Sequence, residues 1–153
     1  VNDFGLTPEL VALVKKEEGW RADPYICPAG YPTIGWGHRI PSMDHPSITP
    51  LEGERLLWID LRFHRDAALR LSPNLANEPE RRLAAITDFC YNLGPTAYAK
   101  SGLRVNVNAS KWKMAGVQMR RWVHARDPRT GKMRRLAGLV ARREVAAKWL
   151  EEN

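Results

Sequence analysis

Cysteine is scarce: Cys27 and Cys90 are the only two in 153 residues, too few for a disulfide framework or a thiolate cluster. Nothing in the chain points to oxidative export, and both sit where a free thiol is explicable, so no disulfide is expected. Histidine is scarce as well. His38, His45, His64 and His124 show no paired spacing such as H-E-x-x-H, so neither metal nor cofactor is expected. No apolar run approaches the ~18–20 residues that a membrane helix needs. The N-terminus carries acidic Asp3 and no basic stretch before an apolar run, so it does not read as a secretory signal, though a leader trimmed before Val1 stays open. No internal repeat is visible.

What remains is an ordinary globular composition, 44% apolar and 27% charged, at a length that fits one domain or two small lobes sharing a core. A monomer is the default. The charge is lopsided: residues 1–99 hold 10 Lys/Arg against 13 acids, whereas residues 100–153 hold 14 against 4. A basic last third points to an anionic partner, whether nucleic acid, membrane surface or acidic wall polymer; a solvated basic face is the plain alternative. Trp112 and Trp122 fall at helical core spacing and no nucleic-acid-binding motif is present, which argues against nucleic acid.

The first helix starts at Thr7-Pro8-Glu9, an N-cap, a proline at the first helical position and an early acid, and Gly19 stops it. From Trp20 to Ile40 the helical period vanishes; a small sheet is expected there, with Tyr31–Trp36 as its best strand. Thr49-Pro50-Leu51-Glu52 is a capping box opening a helix to Leu71, with Leu56, Leu57, Ile59 or Asp60, Phe63, Ala67 and Leu71 as its apolar stripe. A helix of that length spans ~30 Å, enough to join two lobes. Later helices are expected from Pro79 to Leu93, within 96–108, from Lys111 to His124 and from Gly138 to Leu150, with a turn at 127–131. Cys90 falls on an apolar stripe and reads as a buried core residue.

Glu18–His38 reads EGWRADPYICPAGYPTIGWGH, a turn-rich run that builds little core and suits holding a few polar side chains still. Glu18 ends its helix, where the macrodipole disfavours negative charge, and Glu17 adds like-charge repulsion; both favour the protonated carboxyl that a general acid needs. Cys27 and Thr33 follow at fixed distances. His38 has a partner within reach in Asp60, which suits a structural ion pair better than a proton shuttle.

The spacing Glu18, Cys27, Thr33, followed by TIGWGH, resembles the catalytic Glu–Asp/Cys–Thr pattern of phage endolysins of the muramidase type, glycoside hydrolase family 24. ITPLEGERLLWIDL (48–61) resembles that family's linking helix, and LAAITDFCYNLG (83–94) and GLVARREVAAKWL (138–150) its two later motifs, so the match covers nearly the whole chain in order. The resemblance implies an α+β, lysozyme-like fold: a β-containing lobe at about 18–48, a linking helix at about 49–72 and a larger helical lobe at about 73–153 packed with the N-terminal helix. It implies cleavage of the β-1,4 bond between N-acetylmuramic acid and N-acetylglucosamine in peptidoglycan. It also implies host cytoplasmic accumulation, then release through a pore to the wall.

Such hydrolysis needs an acid at the leaving oxygen and a directed water. Glu18 fits the first task, and Cys27 and Thr33 the second. Many members carry Asp where Cys27 stands and a subset carry Cys, so three roles stay open to this thiol: thiolate base, nucleophile, or a neutral group positioning water. Tyr25 and Gly37 are expected at the sugar, with Trp36 as a further lining or core residue. The family's last helix returns to the catalytic lobe, so one of Arg142 and Arg143 is expected to reach Glu18, against the alternative of two surface arginines. A lytic transglycosylase on the same bond is the nearest rival. A cysteine amidase or peptidase using Cys27 with His38 is remoter, since it leaves Glu18 and Thr33 unused.

Overall fold

The Thr7 hydroxyl accepts the Leu10 N–H at 3.2 Å, and from this cap α1 runs Pro8–Glu18. Gly19 ends it at φ +70°, a left-handed conformation that disfavours a side chain, with its N–H bonded to Lys15 O at 3.2 Å. The computed structural model describes residues 1–153 and divides into two compact units, 1–62 and 63–153.

In the first unit α1 is followed by an antiparallel sheet in the order β1 (Arg21–Ile26), β2 (Pro32–Gly35), β3 (His38–Arg39). Tyr25 pairs with Thr33, and Thr33 with Arg39, so one row crosses all three strands. α2 (Pro50–Leu71) opens on a reciprocal cap: Thr49 N–H donates to Glu52 Oε2 at 2.7 Å and Glu52 N–H to the Thr49 hydroxyl at 3.2 Å. Lys15 Nζ lies 2.5 Å from Glu54 Oε1, tying α1 to α2. Trp20 packs directly on Gly53, where a Cβ would collide with its ring, and Trp20 and Trp36 meet at 4.5 Å between centroids. Leu6, Leu10, Val14, Ile34, Leu57 and Leu61 are buried.

The second unit holds the end of α2, a 3-10 turn (Pro73–Asn77), α3 (Glu80–Leu93), α4 (Pro95–Ala99), α5 (Gly102–Asn108), α6 (Trp112–Arg120), a hairpin of β4 (His124–Arg126) and β5 (Met133–Arg135), and α7 (Ala137–Glu151). Ile86, Phe89, Cys90, Tyr98, Leu103, Met119, Ala146 and Leu150 form its interior. Cys27 and Cys90 are both free thiols. Arg120 joins α6 to α7 through Glu144 at 2.7 Å and Glu151 at 2.5 Å.

Three expectations need correction. The expected α2 stripe holds at Leu57 and Ala67 but not at Ile59 and Phe63, which are 54% and 61% exposed; the buried positions are Gly53, Leu57, Leu61, Ala67 and Ala68. Apolar residues lie all round this helix, so two stripes fit the pattern, and Gly53 under Trp20 helps to fix which one turns inward. The helix expected over 111–124 stops at Arg120, because the chain turns back through Asp127, whose N–H bonds Lys132 O and whose O accepts from Gly131 N–H, each at 2.8 Å. Arg142 and Arg143 are not surface residues but are 3% and 0% exposed.

Candidate active site

Glu18 is the last residue of α1 and is half-buried. Three residues on, β1 begins; Cys27 follows its last residue and opens the turn back to β2. That turn is closed by Cys27 N–H to Tyr31 O at 3.0 Å and Gly30 N–H to Cys27 O at 2.8 Å, with Gly30 at φ +88°. Hydrogen bonding from the Tyr31 backbone is the main effect holding the Cys27 thiol below its usual range; burial opposes it, and the Thr33 side chain and the backbone of Ala29 and Gly30 add smaller lowering contributions.

Thr33 is 2% exposed, and its hydroxyl donates to Tyr31 O at 2.8 Å. A hydroxyl has one proton, so Cys27 and the Tyr31 carbonyl compete for it. Tyr25, paired with Thr33, couples Cys27 to Glu18: burial first, then the charges of Glu18 and Cys27, raise its phenol, while Arg21 opposes. The Arg21 guanidinium lies 5.0 Å from the Tyr25 ring centroid. Glu18, Tyr25, Cys27 and Thr33 thus belong to one local cluster in the first unit.

Gly37, at φ +84°, turns β2 into β3. Trp36 beside it packs on Trp20 and under Lys15 Nζ, 4.6 Å from the ring centroid, which accounts for it as packing. His38 Nδ1 lies 2.8 Å from Asp60 Oδ2; that hydrogen bond raises the imidazole above its ordinary value, with burial opposing.

Arg142 and Arg143 stand on α7 in the second unit, both bound to Asp88 on α3. Arg142 donates to the carboxylate from Nε at 3.0 Å and Nη2 at 2.8 Å; Arg143 Nη1 lies 3.4 Å from it, its Nε bonds Trp122 O at 3.1 Å, and its Nη2 donates to Asn92. Asp88 is fully buried and was not among the expected site residues. Its one signal is an acid inside the apolar run ITDFC, for which Arg142-Arg143 supply compensation. No group of three or more His, Cys, Asp or Glu is arranged to hold a metal ion.

An acid ending a helix, a thiol in the turn and a hydroxyl on a strand of a small sheet, and a helical second unit make up a lysozyme-like α+β fold, and the protein is a glycoside hydrolase. The phage lysozyme family model matches residues 15–146, and the chain belongs to that family. It is 29% identical over 135 residues to an endolysin of Acyrthosiphon pisum secondary endosymbiont phage 1, covering 88% of this chain and 90% of that one. It is 34% identical over 122 residues to a SAR-endolysin of Escherichia phage Mu, covering 80% and 67%. Among solved structures, the muramidase domain of SpmX from Asticaccaulis excentricus superposes with a TM-score of 0.83 at 26% identity, over 97% of this chain and 98% of that domain. The family acts on peptidoglycan and lyses cell walls.

Proposed function

We propose that the protein hydrolyses the β-1,4 bond between N-acetylmuramic acid and N-acetylglucosamine, with Glu18 as general acid. Glu18 gives its proton to the leaving glycosidic oxygen as the C1–O bond breaks, and water adds to C1 with inversion, releasing its extra proton to the Cys27 thiolate or to solvent. Cys27 and Thr33 activate or position that water; the thiol, depressed by the donors of its turn, is the observation that carries this role. Thr33 can pass its single proton between partners as the water shifts. Tyr25 and Gly37 would contact the sugar, and His38–Asp60 and Arg142–Arg143 support the scaffold from their own units.

Digesting purified peptidoglycan and identifying the new ends by mass spectrometry tests this. Reducing N-acetylmuramic acid ends are expected; 1,6-anhydro ends, lighter by one water, would assign a transglycosylase instead, and new free amines an amidase. Glu18→Gln should lower turnover by about 10²–10⁴-fold with the fold intact.

We further place the enzyme in the host cytoplasm until release, after which it acts on the wall as a monomer. Nucleic acid is no partner in this reading. No helix is long and apolar enough to cross a membrane. The basic last third would meet an anionic envelope surface, with the exposed hairpin carrying Arg126, Arg129, Lys132, Arg134 and Arg135 as its foremost charges.

A further inference from the structure

Arg39 occupies the end of the row that contains Tyr25 and Thr33. Directly paired residues of an antiparallel sheet share a face, and neighbouring strands lie ~4.8 Å apart, so Arg39 projects from the same face as the Thr33 hydroxyl, one strand away. Its guanidinium stacks on the Tyr31 ring at 3.8 Å from the centroid, and Tyr31 is the residue whose backbone holds Cys27 and Thr33. Arg39 is exposed and Tyr31 is 47% exposed. Lys15 in the same unit is matched by Glu54, whereas Arg39 has no carboxylate partner. Stacking fixes the plane of the guanidinium and leaves its N–H fork open at the edge, a geometry that suits a carboxylate.

From this placement we infer that Arg39, steadied by Tyr31, binds a carboxylate of the stem peptide borne by the muramic acid residue, and so favours peptide-substituted glycan. The inference rests on the muramidase reading. In intact substrate the lactyl carboxyl is consumed in the amide link to the peptide, so the stem peptide is the source of free carboxylates. Arg39 is a binding residue here and has no part in the proton transfers.

The test uses soluble glycan fragments carrying stem peptides, either native or with their carboxylates converted to amides. Arg39→Ala should raise KM about tenfold on native fragments, the equivalent of about 1.4 kcal/mol, with kcat and the pH profile unchanged. Arg39→Lys should recover part of the loss. On amidated fragments the wild type and Arg39→Ala should share one KM. An Arg39→Ala enzyme unchanged on native fragments, or impaired equally on both, overturns the assignment. A wild type that releases no reducing ends from either fragment overturns the muramidase reading instead.

Discussion

His38 Nδ1 lies 2.8 Å from Asp60 Oδ2, fastening the end of the TIGWGH segment to α2. The hydrogen bond raises the imidazole, so the folded state favours the protonated ring. A raised folded value means that the ionic contribution is fully present below the unfolded value of about 6.5 and is lost as pH rises through the folded one. Asp60→Asn should therefore cost about 1 kcal/mol more at pH 5.5 than at pH 8.5, a half-buried pair lying at the upper end of exposed ones. Urea unfolding of both proteins at the two pH values measures this. Parallel curves would show that the pair is not ionic.

Gly53 is a helical glycine that faces an indole. Alanine would gain up to ~1 kcal/mol of helix propensity, but its methyl would strike Cζ3 and Cη2 of Trp20. Overpacking costs about 1–3 kcal/mol. Because both ring atoms belong to a residue already packed on Trp36, the clash should win. Gly53→Ala is expected to melt below the wild type; a higher melting temperature would contradict the packing.

These two contacts mark what the chain announces and what it conceals. The ends of α1 and the start of α2 are written locally, in Thr7, Gly19 and the Thr49–Glu52 box, within one turn of where they act. The Glu18–Thr33 cluster was legible for the same reason, since its members span few residues and one hairpin assembles them. The inward face of α2 was legible only in part, at Leu57 and Ala67, because Ile59 and Phe63 fit a helical stripe as well as Leu61 does until Trp20 and its neighbours choose between them. The β4–β5 hairpin hid behind a run of arginines with no apolar alternation. Asp88 and Arg142, 54 residues apart, are paired by the folding of α7 against α3, which no local pattern encodes.

Asp88 binds both Arg142 and Arg143 at a fully buried position. Removing the charged partner of a buried ion pair typically costs about 3–5 kcal/mol, because the remaining charge stays desolvated. Asp88→Asn keeps the shape and removes the charge that the two guanidiniums share. A loss of at least about 3 kcal/mol is expected by denaturant titration; a loss under about 1 kcal/mol would mean that the arginines' other partners suffice.

Cys27 should react as a depressed thiol, and Cys90 should not react in the folded protein, being buried and pushed up to about 12. Iodoacetamide labelling against pH should give one modified cysteine per native chain, with a midpoint below the ordinary thiol value of about 8.5. Thr33→Val removes one donor and should move the midpoint to higher pH. A midpoint that stays in place would leave the backbone of Tyr31, Ala29 and Gly30 as the whole cause. In turnover, Cys27→Asp active with Cys27→Ala inactive would mark an ionisable water activator, and equal rates for Asp, Ser and Ala would make the residue structural.

The hairpin lets its charge be tested without touching the chemistry. Asp127 is held in its turn by the Arg129 N–H at 2.9 Å and by Arg134 Nη1 at 3.1 Å, while Arg126 donates to Gly131 O at 2.6 Å, so Arg126 and Arg134 serve the fold. Arg129, 85% exposed at its side chain, lies 3.9 Å from Asp127 Oδ1, a long, solvent-screened pairing that contributes little, and its N–H bond to Asp127 survives substitution; with exposed Lys132 and Arg135 it can be reversed to Glu at a small structural cost. Each basic residue near an anionic surface contributes about 1 kcal/mol, so losing three attractions alone weakens binding by about a hundredfold, and reversal adds repulsion. Vesicles of anionic phospholipid, measured at low and high salt, should show that loss, and the wild type should show a steep decline with salt. Turnover on isolated glycan fragments should stay unchanged, since none of the reversed residues belongs to the Glu18–Thr33 cluster. Equal vesicle binding by the two proteins would leave the hairpin charge as a solvated face.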